Sequence, residues 1–414
     1  MIGQAIKVMS IGLLLLSNPL VHASSASKKH CEPAPVRGSI AESNLITTLS
    51  IEQLDAQLAP LGLKAQFGVK LYRVAYETVT PNRQAKSIQA STLLVVPDNQ
   101  SPVFPWILIQ HYTVLGDREA PSVGFQEGLF EASQGFVTVV PDNLGLGVAN
   151  DVYPTYLFAK AYAENGLDAL RAARAFAKAE NLNLGPLFLK GYSEGAYATL
   201  ALQESLETKH ADEFQLVASA PTAGPYDITN FRQALAQPQI SSVFLNNLLL
   251  SYEAWLKPTL NLDRIYALDL DFLRDLYNGN RVFDEIVPLL PTETSSVFEE
   301  RFIKDLALDK PKTREARLFT RFLRENSLPQ SEWTPKTPTR FFHCADDEVV
   351  PASITQQTVA RLLAKNPAAP ISSVILASPD ASNPYRHSSC PLYYGYLSYF
   401  ASILQAPPAP ASAQ

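Results

Sequence analysis

The residue with the clearest chemical potential is Ser193, which stands in the pattern Gly191-Tyr-Ser-Glu-Gly195. A short apolar run at 187–189 predicts a buried strand before it, and an Ala- and Leu-rich run at 196–206 predicts a helix after it. In that context Gly-x-Ser-x-Gly is typical of a sharp turn that exposes a strained serine, with glycines where strand and helix approach closely. Ser193 is therefore predicted to be a nucleophile. A turn that needs glycines for packing alone is the alternative.

A serine nucleophile needs a general base, and His387 is the best placed of the six histidines. It lies in the loop 382–390, between the last predicted strand and the last predicted helix. A surface histidine is the alternative for this position. The other histidines have different expected roles: His22 lies in a leader segment, His30 in the polar stretch after it, His210 at a solvated helix end, His343 inside an apolar strand as a satisfied core side chain, and His111 at a strand end in a structural or oxyanion role.

Three carboxylates, Asp346-Asp347-Glu348, stand together after the penultimate predicted strand. The chain order Ser, Asp, His places the acid of a catalytic triad in this region. In the usual pattern two residues separate the acid from a Val-Pro pair, here Val350-Pro351, which favours Asp347 over Asp346. Asp346 and Glu348 would then raise the pKa values of the site or remain solvated. Asp347 would fix the imidazole tautomer and stabilise the imidazolium.

Acyl transfer through a serine passes through an oxyanion, which two backbone N–H groups usually bind. One is expected from Glu194, the residue after the nucleophile. The other is expected from the turn His111-Tyr112-Thr113, which follows the predicted strand 106–109, so Tyr112 and Thr113 are both candidates. The sequence identifies no substrate-binding residue.

The chain has three cysteines, Cys31, Cys344 and Cys390, so at least one is left without a partner in the chain. Cys344 lies three residues before the proposed acid and Cys390 three residues after the proposed base. If Asp347 and His387 are hydrogen-bonded, a disulfide between these two loops is feasible in an oxidising compartment. Two reduced thiols are the alternative.

The surrounding elements predict an α/β fold. A capping box at 50–53 predicts a helix through about residue 58. The predicted strands are 69–79, 88–96, 106–109, 136–140, 187–189, 215–220, 340–344 and 371–376, with a helix at 164–178 and another after Ser193. The first two strands suggest an antiparallel start to a sheet. The later alternation predicts a mostly parallel sheet with helices on both faces.

Residues 226–338 interrupt this alternation, because they contain helical patterns and no strand-like run. A structureless loop of that length is implausible, so the segment is predicted to be a helical cap. Its insertion after a strand places it over the carboxyl ends of the sheet, where such folds bind ligands. The core of the domain is then formed by residues 24–225 and 339–405.

Both ends of the chain have compositions of their own. Residues 1–23 resemble a secretory signal peptide, with Lys7, an apolar run at 11–16 and a small-residue cleavage site. An uncleaved membrane anchor is the alternative. The predicted destination is the periplasm or the cell exterior. The Pro-, Ala- and Ser-rich tail 406–414 is predicted to be disordered.

The bulk composition limits the partners. The chain has 414 residues and a net charge of −6, which becomes about −7 when Lys7 is removed with the signal peptide. It contains no block of basic residues, so nucleic acid is not an expected partner. No metal-ligand spacing or phosphate-binding glycine loop is present, so no metal and no cofactor are expected.

Four motifs together resemble the secretory lipase (lipase A-like) family of α/β hydrolases. They are Gly191-Tyr-Ser-Glu-Gly-Ala-Tyr-Ala-Thr199, Pro141-Asp-Asn-Leu-Gly-Leu-Gly147, Ala220-Pro-Thr-Ala-Gly-Pro-Tyr226 and Asp347-Glu-Val-Val-Pro351. The similarity covers the chain from roughly residue 69 to 400, with gaps in the cap. It implies the α/β-hydrolase fold and a carboxylic-ester hydrolase with a helical lid and no cofactor.

The leading hypothesis is an exported esterase or lipase that acts on small-molecule or lipid esters, with transient contact of the cap with a lipid surface. The apolar run 243–256 in the cap suits either core packing or contact with an acyl chain. A prolyl-oligopeptidase-like peptidase is an alternative, for which Glu299-Glu300 would hold a substrate amine. A binding protein on a catalytically silent hydrolase fold is another alternative. Acyl transfer to an alcohol is also compatible with the sequence.

Overall fold

The structure of the protein is a computed structural model that describes residues 36–124, 127–230, 240–390 and 395–405. The predicted signal peptide 1–23, Cys31 and the tail 406–414 lie outside the described residues. So do residues 231–239 of the predicted cap.

The described strands form a single sheet. They are β1 (Ile40–Leu49), β2 (Val69–Val79), β3 (Ser87–Pro97), β4 (Phe104–Gln110), β5 (Val137–Pro141), β6 (Leu184–Tyr192), β7 (Leu216–Thr222), β8 (Thr339–Cys344) and β9 (Ile371–Leu376). Their order across the sheet is β1-β2-β3-β5-β4-β6-β7-β8-β9. The pairs from β1 to β5 are antiparallel, and the pairs from β5 through β4 to β9 are parallel.

The described α-helices are α1 (Ile51–Leu58), α2 (Pro121–Gly124), α3 (Leu129–Ser133), α4 (Ala159–Ala179), α5 (Glu194–Lys209), α6 (Ile240–Trp255), α7 (Leu270–Leu276), α8 (Phe283–Ile286), α9 (Thr294–Val297), α10 (Glu300–Leu306), α11 (Arg314–Glu325), α12 (Ala352–Lys365) and α13 (Tyr396–Gln405). Short 3₁₀ turns lie at Ala59–Leu61, Asp117–Glu119, Gly147–Ala149, Ile228–Asn230, Leu262–Arg264, Val287–Leu289 and Leu328–Gln330. None of the helices in the described ranges is long and apolar enough to cross a membrane.

Helices cover both faces of the sheet. On one face, α4 and α5 bury side chains such as Leu170 and Leu202 against the strands. On the other face, α1, α3 and α13 pack around Phe188 of β6 and Phe342 of β8. The central parallel strands are therefore apolar on both sides, as a doubly covered sheet requires. The fold predicted from the sequence is confirmed.

The chain reverses its direction of travel across the sheet at β4, because β5 lies on one side of β4 and β6 on the other. A crevice at the carboxyl ends of the strands forms at such a switch point and is the usual ligand site of open α/β sheets. Ser193 follows β6, and the turn with Tyr112 and Thr113 follows β4. The topology thus brings the predicted nucleophile and the predicted oxyanion turn to neighbouring strand ends.

Most of the predicted elements are confirmed, with shifted ends. The capping box is present, since the Ser50 side chain accepts from Gln53 N and the Gln53 side chain accepts from Ser50 N. The helix predicted at 164–178 begins five residues earlier, at Ala159, because Ala161 and Tyr162 are also buried. The edge strand β1 is not predicted by the sequence patterns. Five consecutive residues in it are exposed, so it lacks the alternation of a half-buried strand.

Helices α6 to α11 lie between β7 and β8 in the chain, which is the segment predicted to be a cap. The stretch of chain that leads from this segment back into β8 is held in place by hydrogen bonds to Glu207 of α5. The Glu207 carboxylate accepts hydrogen bonds from Trp333 Nε1 at 3.0 Å, Lys336 N at 2.7 Å and Thr337 N at 3.0 Å. One buried carboxylate therefore satisfies several donors of the segment that enters β8.

Candidate active site

Ser193 occupies the turn between β6 and α5 with φ 56° and ψ −122°. This conformation is rare for a residue with a side chain, and only a well-determined surrounding can maintain it. Ser193 N donates to Thr222 O of β7 at 2.9 Å, and the Ser193 carbonyl accepts from Ala196 N at 3.0 Å. The neighbouring strand and the first turn of the helix thus hold the serine from both sides.

The two glycines of the motif are required by close backbone approach. A Cβ atom at Gly191 would lie 2.1 Å from the carbonyl oxygen of Gly195, and a Cβ atom at Gly195 would lie 2.0 Å from the carbonyl oxygen of Gln110. Neither contact is sterically allowed. Because Gly195 packs directly on the end of β4, the turn that follows Gln110 lies beside the serine.

The three residues predicted as nucleophile, base and acid form a continuous hydrogen-bonded chain. His387 Nε2 lies 3.0 Å from Ser193 Oγ, and His387 Nδ1 lies 2.7 Å from Asp347 Oδ2. The Asp347 side chain is fully buried, whereas 13% of the His387 side chain is exposed. A base that links a serine to a buried carboxylate is the arrangement that activates a serine hydroxyl.

The three neighbouring carboxylates separate clearly in space. Asp347 Oδ1 accepts from Val349 N at 3.0 Å and from Val350 N at 2.8 Å, while its other oxygen faces His387. Asp346 is exposed and accepts from the Ser378 hydroxyl. Glu348 accepts from the backbone N–H of His387 at 3.0 Å. Asp347 is therefore the carboxylate that contacts the imidazole.

Asp347 is held in its ionised form. Burial alone would raise the pKa of this carboxyl, but hydrogen bonds from His343, His387 and Val350 N outweigh it and lower the pKa to about 2. A carboxylate with so low a pKa stays charged throughout the pH range in which a histidine base works. It can stabilise an imidazolium without accepting its proton.

His343 contacts the same carboxylate, which its sequence pattern does not reveal. Its Nε2 atom lies 2.7 Å from Val350 O and 3.3 Å from Asp347 Oδ2, and its Nδ1 atom lies 2.6 Å from Thr355 Oγ1. A carbonyl oxygen can only accept, so Nε2 carries the hydrogen and Nδ1 accepts from the Thr355 hydroxyl. The expectation of a satisfied core histidine is confirmed. The sequence signal that could have indicated its contact with Asp347 is the spacing of four residues between the two.

The loop that carries His387 is fixed on several sides. The Tyr192 hydroxyl donates to the His387 backbone carbonyl, and the two rings lie 5.0 Å apart. A disulfide joins Cys344, at the end of β8, to Cys390, with Cα atoms 6.0 Å apart. The predicted disulfide is thus confirmed. Together with Glu348, these contacts restrict His387 to the position from which it reaches Ser193.

Replacing both Cys344 and Cys390 by alanine is expected to lower the free energy of unfolding by about 4 kcal/mol, because the disulfide closes a loop of 46 residues. We expect kcat to fall by up to about 10²-fold as well, since the His387 loop loses a fixed point. Urea unfolding and ester hydrolysis measure the two effects. Dithiothreitol should reproduce both losses in the wild-type protein and change nothing in the double variant. Equal urea unfolding midpoints of the wild-type protein and the double variant would show that the disulfide does not stabilise the fold.

The predicted oxyanion turn lies against the nucleophile turn. The His111 ring bridges the turn, with Nδ1 2.6 Å from Tyr112 O and Nε2 3.1 Å from Asp142 O. Burial lowers the pKa of His111. His111 therefore has the structural role that was one of its two expected roles, and it holds the turn in which Tyr112 and Thr113 lie.

Asp142, in the motif 141–147, is a buried structural carboxyl. It accepts from Ser122 N at 2.7 Å and from the Ser122 and Ser91 hydroxyls. Burial raises the pKa of Asp142 to about 6, against the opposing effect of these hydrogen bonds. A Cβ atom at Gly147 would lie 2.2 Å from Asp142 Oδ2, which explains the glycine. The motif thus shapes the loop behind His111.

Glu194 carries a carboxyl group that the sequence patterns do not single out. The residue is 4% exposed, its Oε1 atom contacts the Tyr162 hydroxyl, and the Thr113 hydroxyl lies close enough to lower its pKa. Burial raises the pKa of Glu194 to about 8, although both hydroxyls lower it. The N-terminus of α5 favours a carboxylate by about 1 kcal/mol. That is less than the penalty of several kcal/mol for burying a charge.

Comparison with known proteins adds a family and several similar folds. The family model described as secretory lipase matches residues 129–369. The cell wall degrading esterase LipA of Xanthomonas oryzae has a TM-score of 0.75 and 24% identity, covering 89% of this chain and 97% of its own. A putative hydrolase of Legionella pneumophila has a TM-score of 0.77 and 21% identity, covering 88% and 98%. Candida antarctica lipase A has a TM-score of 0.62 and 17% identity, covering 90% and 82%. No curated protein sequence matches the chain.

Proposed function

The chain belongs to the secretory lipase family of carboxylic-ester hydrolases, and we propose that it cleaves esters through an acyl-enzyme on Ser193, with His387 as base and Asp347 as acid. The observation that carries the proposal is the hydrogen-bonded chain from Ser193 Oγ through His387 to Asp347, with distances of 3.0 and 2.7 Å. That geometry supports proton transfer from the serine to His387 Nε2.

In the proposed reaction, Ser193 Oγ attacks the ester carbonyl while His387 takes the hydroxyl proton. The C–O bond to the alcohol breaks, and the imidazolium gives its proton to the leaving alcohol. Water then attacks the acyl-enzyme with His387 again as base, which releases the acid and restores the serine. The N–H group of Glu194 and one from Tyr112 or Thr113 would bind the oxyanion.

We place the substrate under the helical segment 226–338, which we propose acts as a cap. Helix α6 contributes Val243, Leu248 and Tyr252 to the same apolar cluster as Ala196 and Tyr197, which follow Ser193. This supports core packing as the main role of the apolar run. Among the described residues of this segment, the large apolar side chains of Phe272, Leu289 and Leu308 are exposed, and we propose that they provide the transient contact with a lipid surface.

Export fits both the family and the disulfide, because a buried cystine persists in an oxidising compartment. We propose that residues 1–23 direct this export and are removed. The mature protein would then act in the periplasm or outside the cell.

The peptidase alternative gains no support from Glu299 and Glu300. Both are exposed, and Glu300 forms an ion pair with Lys304 at 2.5 Å. Such a surface pair has little energetic weight and does not form a buried amine site. The silent binding protein is disfavoured by a hydrogen-bonded set of all three triad residues.

The proposed function predicts turnover of esters and not of amides. We expect hydrolysis across a series of p-nitrophenyl esters from acetate to palmitate, and little or no hydrolysis of aminoacyl p-nitroanilides. The two series share a chromophore, so one assay compares them. A preference for the anilides would favour a peptidase. Failure to turn over either series, together with no labelling by a fluorophosphonate, would favour the binding protein.

A further inference from the structure

The carboxyl group of Glu194 is enclosed by hydroxyl groups from other parts of the chain. Tyr162 approaches it from α4 and Thr113 from the turn after β4. Tyr156 also lies close to both residues, since Glu194 and Thr113 both affect the pKa of its hydroxyl. Within the described ranges no lysine, arginine or histidine pairs with this carboxyl. A buried carboxylate without a cation is unfavourable, whereas a buried carboxylic acid with hydrogen-bond partners is not.

The number of hydrogen atoms available around the Tyr162 hydroxyl also indicates that the Glu194 carboxyl is protonated. Its hydroxyl oxygen accepts from Leu157 N at 3.1 Å and lies 3.1 Å from Thr155 O, in addition to its contact with Glu194. A tyrosine has one hydroxyl hydrogen, and a backbone carbonyl can only accept. If Tyr162 donates to Thr155 O, Glu194 must supply the hydrogen of their shared bond. A protonated Glu194 therefore satisfies all three contacts of the Tyr162 hydroxyl, whereas a carboxylate leaves Thr155 O without this donor.

We propose that Glu194 is a positioning residue, held as a neutral carboxylic acid that joins the turn with Thr113 to the turn with Ser193. This rests on the proposed function, in which those two turns supply the N–H groups for the oxyanion. By joining the two turns, the Glu194 side chain would fix the distance between their backbone N–H donors. Small errors in such a distance strongly reduce the rate.

The neutral state matters because the oxyanion would bind to the N–H group of Glu194 itself. A negative charge on the same side chain, in a site from which water is excluded, would oppose the charge that develops in the transition state. Asp347 differs, because two histidines face its charge. The two buried acids of the site thus have opposite protonation states, each set by its partners.

The proposal predicts an alkaline limb in the pH dependence of kcat. Burial raises the pKa of Glu194 to about 8, so wild-type kcat should fall above that pH as the carboxyl ionises. Glu194→Gln preserves the shape and a hydrogen-bonding amide but cannot ionise. In this variant we expect the alkaline limb to disappear, and we expect a smaller loss of kcat at pH 7 than in Glu194→Ala. Glu194→Ala removes the link between the two turns and should lose about 10²-fold in kcat.

Glu204→Gln is the matched control, because Glu204 lies on the same helix, is half-buried and has no part in the site. Its pH profile should keep the wild-type alkaline limb. An alkaline limb that persists unchanged in Glu194→Gln would overturn the proposal. So would an equal loss of kcat in the Gln and Ala variants when both are folded.

A second measurement does not depend on catalysis. In the folded state Glu194 keeps its proton up to about pH 8, whereas the unfolded chain loses it near pH 4.5. Folding therefore takes up a proton in this window, and wild-type stability should fall relative to Glu194→Gln as pH rises from 4.5 to 8. Parallel curves of Tm against pH would overturn the proposal. If wild type hydrolyses no ester, the proposed function fails, while this comparison still decides whether Glu194 is neutral.

Discussion

Replacing Ser193 by alanine is expected to lower kcat for p-nitrophenyl ester hydrolysis on the order of 10⁶-fold. The expectation is this large because, in the proposed reaction, the Ser193 hydroxyl connects the ester carbon to the His387–Asp347 pair. Without it no acyl-enzyme can form, and the base has no proton to take at the reacting atom. The remaining rate would come from the oxyanion donors and substrate binding alone. Ester hydrolysis at saturating substrate measures the effect.

The Ser205→Ala variant is a suitable control, because Ser205 lies on α5 but away from the triad. It should retain kcat within about twofold, as expected for a substitution outside the site. Fluorophosphonate should label the wild type and this control, and should not label Ser193→Ala. Since alanine can adopt the turn only with the strain that serine already has, circular dichroism must show that both variants are folded. Full activity in a folded Ser193→Ala protein would remove Ser193 from the mechanism.

The nucleophile turn could be predicted from the sequence because its constraints are local. A strand, two glycines and a helix follow one another without interruption, and the clash distances at Gly191 and Gly195 show why those letters are needed. The contact between His387 and Asp347 could be predicted because chain order and strand ends restrict where a base and an acid of a serine hydrolase are expected. The disulfide followed from the same pair, since Cys344 and Cys390 flank the residues that must meet.

Other features depend on partners that are distant in the sequence. A glutamate at the start of a helix is ordinarily expected to be exposed. The burial of Glu194 could not be predicted, because Tyr162 and Thr113 are distant from it in the sequence. His343 lies in an apolar strand, and its tautomer is defined by the Val350 carbonyl, with the Thr355 hydroxyl of α12 as the partner of the other ring nitrogen. The strand β1 lies at an exposed edge of the sheet. It is held there by backbone hydrogen bonds to β2, which do not require a hydrophobic pattern in its sequence. Local periodicity carries no information about such contacts.

Asp347→Asn is expected to lower kcat by about 10⁴-fold, whereas Asp346→Asn should change it by less than about threefold. An asparagine at 347 can donate to His387 Nδ1, which would place the hydrogen on Nε2, the atom that must accept from Ser193. The imidazolium would also lose its counter-charge. Asp346 is exposed and its carboxylate contacts Ser378, so it does not contact the imidazole of His387. The pair is well matched, since the same chemical change is made at adjacent positions.

The pH dependence of stability gives this comparison a second readout. The pKa of Asp347 is lowered to about 2 in the folded protein, against about 4 for an unfolded aspartate. Its ionised form therefore stabilises the fold above about pH 4, and this contribution is lost as pH falls from about 4 to about 2. Asp347→Asn should flatten that part of the acid unfolding curve, and Asp346→Asn should leave it unchanged. If instead Asp346→Asn caused the larger loss of kcat, the acid would have to reach His387 by a rearranged loop, and the hydrogen bonds of Val349 and Val350 to Asp347 would have to break.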